Sequence, residues 1–415
     1  MKASLPKIVF LSALGNALEF YDFTICAVFI PILAKVFFPN IDSSMAIFYG
    51  IFTFGAGFFG RPFGAYLFGY IGDRFGRKKA LSLTVGLMGI PTLTIASLPG
   101  YDTIGILAPI ILVLCRILQG LCAGGEYNGA AVFALEHDNG KHAGLVSGLI
   151  VGSAIIGALL ATIAGLFVLQ EHMPTWSWRI PFVFGGCISL MAYVVRRSFQ
   201  ETTAFIKTQK EDHKKQPLAE IFADHKTEFG VNILYAFVTG VLFYTMFGFL
   251  NLYLSRYLKF SVLDSTYYNI VGLLSFMFSC IGFGKLSDII GLKKALFLPV
   301  ILGIILSPFA FYYLQEGDIV IGQILLGIIC GSYLGPGHCF MLTLFPAHER
   351  YTGTSLSFSI GMCLAGSSTA GILVYLIDTT CNLYIPSIYL SFCLLSIGLV
   401  LFMYNKKKNN VINDY

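Results

Sequence analysis

The chain has 415 residues, of which 56% are hydrophobic, 15% aromatic and only 12% charged, against about 25% charged in soluble domains. That balance excludes an ordinary soluble domain. It describes a polytopic membrane protein, with room for roughly twelve crossings at about 20 residues each. Long unbroken apolar runs, in place of roughly ten-residue alternation, exclude a membrane β-barrel. Spans are predicted to start near Ile8, Ala46, Leu81, Gly105, Ala143 and Arg179, and again near Phe229, Thr266, Ala295, Ile319, Thr352 and Tyr384. The net charge of +5 does not mark nucleic-acid binding. With the amino terminus placed in the cytoplasm, 21 of the 27 Lys and Arg fall on the cytoplasmic side, four fall outside, and Arg61 and Arg116 lie within spans. This is the positive-inside pattern, and an even number of spans puts both termini in the cytoplasm.

Span 1 carries Glu19 and Asp22, three residues apart and therefore neighbours on one helical face. Phe20, Tyr21 and Phe23 surround them and suit a quaternary ammonium through cation–π contact, although most aromatic stripes in membrane helices are packing. The segment has no small-residue cleavage site and reads as a retained helix. Span 2 holds Arg61 just after Gly55-Ala-Gly57-Phe-Phe-Gly60. That string matches a dinucleotide fingerprint, but it lies in a membrane span with no preceding strand, which rules the reading out. The loop Gly69-Tyr-Ile-Gly-Asp73-Arg74-Phe-Gly76-Arg77-Lys78-Lys79 follows. Its basic residues are explained by topology alone. Its carboxylate at the membrane edge is not, and such a group can accept from the N–H groups of a nearby helix start.

Span 4, Leu107–Leu135, organises the chain, because it is long enough to cross a bilayer yet carries Arg116 and Glu126 in mid-span. Each costs roughly 2.5–3.5 kcal/mol at the bilayer centre, so each is expected to face protein or a wet path. Arg116, Gln119, Ala123 and Tyr127 form one stripe at about 100° per residue, with Glu126 beside it. The planar fork of Arg116 suits a substrate carboxylate; pairing with Glu126 alone is the competing reading, and exchange between the two partners reconciles them. Glu19, Asp22 and Glu126 against Arg61 and Arg116 leave one acid short of a cation. Burial penalises the charged form of such a group, which suits a site that takes and releases a proton. Glu126 is the first candidate, Glu19 the second, and Asp22 belongs to the same set.

Gly144, Gly148 and Gly152 in span 5, with Gly327, Gly331 and Gly335 in span 10, allow close helix approach. Ser198–Lys226 is the one long charged stretch and reads as a solvated linker. It separates two bundles, 1–198 and 227–415, with the linker at 199–226. The halves repeat. Gly284, Asp288, Gly291, Lys293 and Lys294 stand 215 residues after Gly69, Asp73, Gly76, Lys78 and Lys79, and Gly120-x-x-x-Gly124 returns as Gly327-x-x-x-Gly331. Duplication of six spans is the signature of a transporter with its site near mid-membrane. In span 7, Tyr244, Phe247 and Asn251 share a face. His338 has no second metal ligand nearby in the sequence, nine of the ten cysteines fall in apolar spans, and no metal site, nucleophile elbow or P-loop is found.

The loop Gly69–Lys79, with its Asp-Arg-x-Gly-Arg core, resembles the signature of the major facilitator superfamily. The stretches around Gly15–Phe23, Arg61-Pro62-Phe-Gly64, Tyr101–Pro109, Gln119–Tyr127 and Trp178–Phe182 narrow the resemblance to the metabolite:proton symporter branch and its proline/betaine transporters. It is dense over 15–205 and thinner after about 230. The resemblance implies an all-α fold of twelve transmembrane helices in two pseudo-symmetric six-helix bundles, in the bacterial inner membrane. It implies alternating-access symport of a small zwitterionic or carboxylate solute such as proline or glycine betaine, driven by the proton gradient with no cofactor. The partners are then the solute, the proton and the bilayer, with no nucleic acid and no obligatory protein partner. Arg61, Asp73, Arg74, Gly76, Arg77 and Asp288 are expected to gate or brace the bundles. Arg116, Gln119, Tyr127, Phe20, Tyr21, Tyr244, Phe247 and Asn251 are expected to meet the substrate. Span 5 lacks the Gly-Pro element of family antiporters, which favours symport. The long carboxy-terminal coiled coil of osmosensing relatives is not present in Asn405–Tyr415. Dicarboxylates, other organic acids and a proton-independent facilitator remain open. A receptor would need an output domain, and an enzyme a catalytic constellation; neither is visible.

Overall fold

The computed structural model describes residues 5–39, 43–138, 140–168, 170, 173–209 and 217–407. Residues 210–216 of the linker and 408–415 of the tail lie outside the described residues. Among the described residues every regular element is helical. Among the described residues eleven segments are long and apolar enough to cross a membrane: Leu5–Val28 (span 1), Arg77–Ser97 (span 3), Leu107–Asp138 (span 4), Ala143–Val168 (span 5), Arg179–Arg196 (span 6), Lys226–Tyr257 (span 7), Leu263–Ile290 (span 8), Leu292–Glu316 (span 9), Ile319–Thr343 (span 10), Arg350–Thr380 (span 11) and Ile385–Lys407 (span 12). A further helix, Ser43–Phe75, occupies the place of span 2 with 33 residues, about 50 Å at 1.5 Å per residue.

The chain packs into two compact units. The first takes Met1–His137, Ile156–Leu218 and Ala347–Leu356; the second takes Asp138–Ile155, Ala219–Pro346 and Ser357–Tyr415. The start of span 5 therefore belongs to the second unit and the start of span 11 to the first.

In the first unit, Phe29, Phe37, Trp178 and Phe182 close one end in an apolar cluster that also takes in Tyr21 and Ile25. Spans 2 and 4 touch backbone to backbone. A Cβ on Gly120 would collide with the carbonyl of Gly57, and one on Gly124 with the carbonyl of Arg61. The second unit repeats the device. There a Cβ on Gly327 would meet Ser275 at 2.7 Å, and one on Gly331 would collide with Ser279, both on span 8. Gly144 and Gly148 of span 5 also lie against span 8, at the backbone of Gly284 and Cys280. The repeated glycines are thus repeated helix contacts. At such a contact a methyl group has backbone in front of it, so Gly124→Ala is expected to sit at the upper end of overpacking costs, about 3 kcal/mol. A fall in the thermal midpoint of the purified protein in detergent checks this.

The repeat extends to the turns. Gly76 and Gly291 start the helices that follow them with φ of +113° and +85°, conformations that glycine adopts without Cβ strain. Span 7 departs from α-helical regularity, with π-turns at Thr245–Phe249 and Tyr253–Tyr257. The side-chain amide of Asn269 in span 8 donates to the carbonyl of Met246 at 2.7 Å, satisfying a group within the first π-turn.

Candidate functional site

Within the spans of the first unit a group of three carboxylates and three guanidinium groups is buried: Glu19, Asp22, Glu126, Arg61, Arg116 and Arg196 are each at most 6% exposed. The sequence reading placed Arg196 in the cytoplasmic segment after span 6 and found three acids against two bases. The structure corrects that count, since span 6 carries Arg196 inward at its last turn and the cluster balances. Gly185, Ser189, Ala192 and Arg196 form the buried stripe of span 6, a run of small residues ending in a cation, and that stripe is the signal that could have found it.

Arg196 holds Glu126. Its Nη1 lies 2.6 Å from Oε1 and donates to Oε2 at 2.9 Å, and it also donates to the carbonyl of Leu81 at 3.0 Å. The Thr84 hydroxyl donates to the same carboxylate at 2.5 Å. Span 1 makes room with Gly15, where a side chain would overlap the Arg196 guanidinium and approach Glu126. The alternative in which Arg116 pairs with Glu126 is thereby corrected. Ten residues of helix separate the two by about 15 Å, beyond the reach of a direct ion pair.

Glu19 faces Arg61 across 3.6 Å, an ion pair too long to be a hydrogen bond. Arg61 stacks over Phe23 at 4.6 Å from the ring centre and near Phe58 at 5.5 Å. Arg116 lies 5.2 Å from the centre of the same Phe23 ring, so one aromatic ring serves two cations. Beyond it runs a hydrogen-bonded chain. Nη1 of Arg116 donates to Oε1 of Gln119 at 2.8 Å, Nε2 of Gln119 donates to Oγ1 of Thr92 at 2.8 Å, and Thr92 donates to Oδ2 of Asp22 at 2.7 Å.

Of the expected aromatics, Phe20 meets Tyr127 edge-on at 5.6 Å beside this cluster. Tyr21 turns away from it. Its ring joins the end cluster and its hydroxyl donates to the carbonyl of Pro181 at 3.1 Å. Tyr244, Phe247 and Asn251 are half-buried in the second unit. There Phe243 and Phe247 stack at 4.1 Å, and Tyr244 lies against span 11 at Gly366.

A second polar cluster sits at the end of the first unit that bears the Gly69–Lys79 loop. Asp73 accepts from the backbone N–H groups of Tyr351 at 3.1 Å and Thr352 at 2.8 Å, the first turn of span 11. Arg77 is 3.2 Å from Asp73 and 3.4 Å from Glu136, donates to the carbonyl of Gly72 at 2.8 Å, and also donates to that of Ala347. Glu136 takes Arg350 at 3.2 Å and the Thr202 hydroxyl at 2.6 Å. Glu201 accepts from the N–H of Lys78 at 3.2 Å, at the start of span 3, and burial pushes its carboxyl up from the usual range. Arg74 is half-buried at the rim. Glu136, Glu201 and Thr202 were missed in the sequence, because each is an ordinary polar residue at a span end until folding brings it to Arg77. The second unit has the counterpart, as Asp288 accepts from Gly144 N–H at 2.6 Å and Leu145 N–H at 3.0 Å at the start of span 5.

The family model for the Major Facilitator Superfamily matches residues 12–370. The chain belongs to that superfamily. It is 30% identical over 408 residues to the proline/betaine transporter of Escherichia coli K12, covering 93% of this chain and 80% of that one. It is 30% identical over 428 residues to the glycine betaine/proline/ectoine/pipecolic acid transporter OusA of Dickeya dadantii, with 98% and 84% covered. The inner membrane metabolite transport protein YhjE of E. coli K12 is 34% identical over 412 residues, with 93% and 90% covered. The fold matches the proton:xylose symporter XylE at a TM-score of 0.78 and 15% identity, over 96% of this chain and 95% of that one. This major facilitator protein is a multi-pass membrane transporter, and the superfamily's members are transporters rather than enzymes.

Proposed function

We propose that this major facilitator protein is a proton-coupled symporter. In this reading it carries a small zwitterionic or carboxylate solute, of the class named for its proline/betaine relatives, inward by alternating access. The observation that carries the reading is Arg116, fully buried on span 4, with its Nη1 spent on a neutral amide, that of Gln119. A carboxylate outcompetes an amide for a guanidinium, because charge-assisted hydrogen bonds are roughly twice as strong as neutral ones. Phe23 then lines the site under both cations, with Phe20 and Tyr127 at its edge.

The proton belongs on a loosely held acid. Glu126, the first candidate from sequence, is clamped by Arg196 and Thr84, and a proton there would break a buried pair. Glu19 and Asp22 are less committed, one to a long ion pair and the other to a hydroxyl donor. No metal or cofactor enters this scheme; the driving force is the proton gradient. The positive-inside distribution supports cytoplasmic termini, with Asp73 and Asp288 at the cytoplasmic ends of their units.

At those ends each unit holds a helix start on a carboxylate, and in the proposal these are latches that open and close during transport. Asp73→Asn removes the charge from two N–H contacts and from the pair with Arg77. Loss of about 1.4 kcal/mol of latch energy corresponds to a tenfold change. The expected result is a tenfold lower uptake rate at equal protein, and an unaltered rate removes the latch role.

The test of the whole reading is uptake by reconstituted protein of labelled proline, glycine betaine and a panel of organic acids, with and without an imposed pH gradient. Gradient-dependent accumulation of a zwitterion is expected. Uptake indifferent to the gradient would instead make the protein a facilitator, and accumulation of dicarboxylates alone would move the substrate class.

A further inference from the structure

We infer that Thr92 and Gln119 are positioning residues that couple solute binding at Arg116 to protonation of Asp22, an inference that rests on the symport reading above. All three hydrogen bonds of the chain point the same way, with donors running from Arg116 through the Gln119 amide and the Thr92 hydroxyl to the Asp22 carboxylate. The amide orientation follows from chemistry, since a guanidinium only donates and must face the amide oxygen. Chained donors polarise one another, so the positive charge at one end strengthens the hydrogen bond to the negative charge at the other. Thr92 has one hydrogen and two acceptors in range, Oδ2 of Asp22 at 2.7 Å and the Met88 carbonyl at 2.9 Å. The hydroxyl therefore has two settings.

The cycle uses both. A solute carboxylate takes Nη1 of Arg116 from Gln119, the amide no longer polarises Thr92, and the hydroxyl swings to the Met88 carbonyl. Asp22 has then lost its donor and takes one proton at Oδ2. The charge balances, with one anionic group arriving at Arg116 and one proton at Asp22, while Thr92 and Gln119 keep their own hydrogens. By linkage, protonation of Asp22 tightens solute binding by the same factor. The groups facing Asp22 leave the relay in control. On its own helix Tyr21 and Cys26 are close enough to feel its charge; span 4 presents Arg116, span 3 Thr92, and span 6 Gly185, where a Cβ would collide with Oδ1. Among these Arg116 is the one cation, and its hydrogen-bonded route to Asp22 runs through Gln119 and Thr92.

The experiment uses the full chain in proteoliposomes, with the labelled zwitterion that the unaltered protein accumulates from the uptake panel. Thr92→Val keeps the shape and deletes the donor; Thr92→Ser restores it. Losing a hydrogen bond to a charged group is worth about a tenfold change in proton affinity. The pH midpoint of uptake in Thr92→Val is therefore expected to move up by about one unit. Gradient-driven accumulation falls about tenfold further than solute exchange does, and Thr92→Ser returns both to the original values. Gln119→Leu shifts the midpoint in the same direction, and the double variant shifts it no further than the single ones, because one chain is cut twice. A midpoint left in place, accumulation and exchange falling together, or additive shifts would each overturn the relay. If the unaltered protein shows no gradient-driven accumulation, the symport reading fails and takes the relay with it. If it accumulates solute and Thr92→Val behaves identically, the relay alone fails.

Discussion

Arg196→Ala lowers the stability of the purified protein by about 3–5 kcal/mol, the range for breaking one partner out of a buried ion pair. The figure applies because Arg196 and Glu126 are 2% and 1% exposed and the bond between them is 2.6 Å. Removing the guanidinium leaves Glu126 with Thr84 as a neutral donor and exposes the Leu81 carbonyl to a cavity. A total stability of about 5–15 kcal/mol cannot absorb that loss easily, so yield from membranes falls with the thermal midpoint. Replacing both partners tests the mechanism. In the double variant Arg196→Met with Glu126→Gln, no uncompensated charge remains and Thr84 keeps an acceptor, so most of the lost stability returns. Measured midpoints of the two single variants and the double variant give the coupling energy. Single variants that melt with the unaltered protein would show the pair to be structurally idle.

That pair also marks the boundary of what the sequence could say. Helices, the five ionisable residues within predicted spans and the glycine repeats are properties of linear spacing, and they emerge in the structure where spacing puts them. Gly120 and Gly124 face span 2 while Gly327 and Gly331 face span 8, as their shared offset requires. Asp73 and Asp288 recur at one offset because each accepts from a helix start. The pairing of Arg116 with Glu126 that the sequence left open fails on the same kind of spacing, since ten residues of helix separate the two by about 15 Å, and Glu126 is held by Arg196 instead.

Arg196 was harder to read, because a cation at the end of a span satisfies the positive-inside rule whether it points into lipid headgroups or into the bundle. Only its position on the Gly185–Ser189–Ala192 stripe separates the two. Of the relay residues, Gln119 stood on the polar stripe of span 4, whereas Thr92 carried no signal at all. A threonine in a membrane helix ordinarily bonds the carbonyl four residues back, as Thr92 does with Met88, and its second acceptor comes from a helix 70 residues away in sequence. Glu136 and Glu201 were silent for the same reason. Charged residues near span ends are the commonest kind, and only the fold brings these two to Arg77 and the start of span 3.

Arg116→Lys is expected to cut uptake by roughly 100-fold while expression and thermal midpoint stay near those of the unaltered protein. The asymmetry follows from what each side chain offers. Lysine preserves the positive charge, so the buried cluster of three acids and three bases keeps its balance, and the Gln119 amide oxygen retains a donor within reach. Folding is therefore spared. What lysine lacks is the planar fork, which presents parallel N–H groups to a carboxylate and stacks on Phe23. Losing one arm of a bidentate, charge-assisted contact is worth about 1.5–3 kcal/mol, which is roughly 10- to 150-fold in affinity. Because the proposed relay starts at the same guanidinium, the substitution also loosens the link to Asp22, so the loss shows in accumulation as well as in KM. Arg116→Gln, by contrast, leaves three acids facing two bases and lowers stability along with uptake. Initial rates at matched protein, read beside melting curves for both variants, separate recognition from folding. Uptake by Arg116→Lys at the unaltered rate would mean that the solute's carboxylate binds elsewhere.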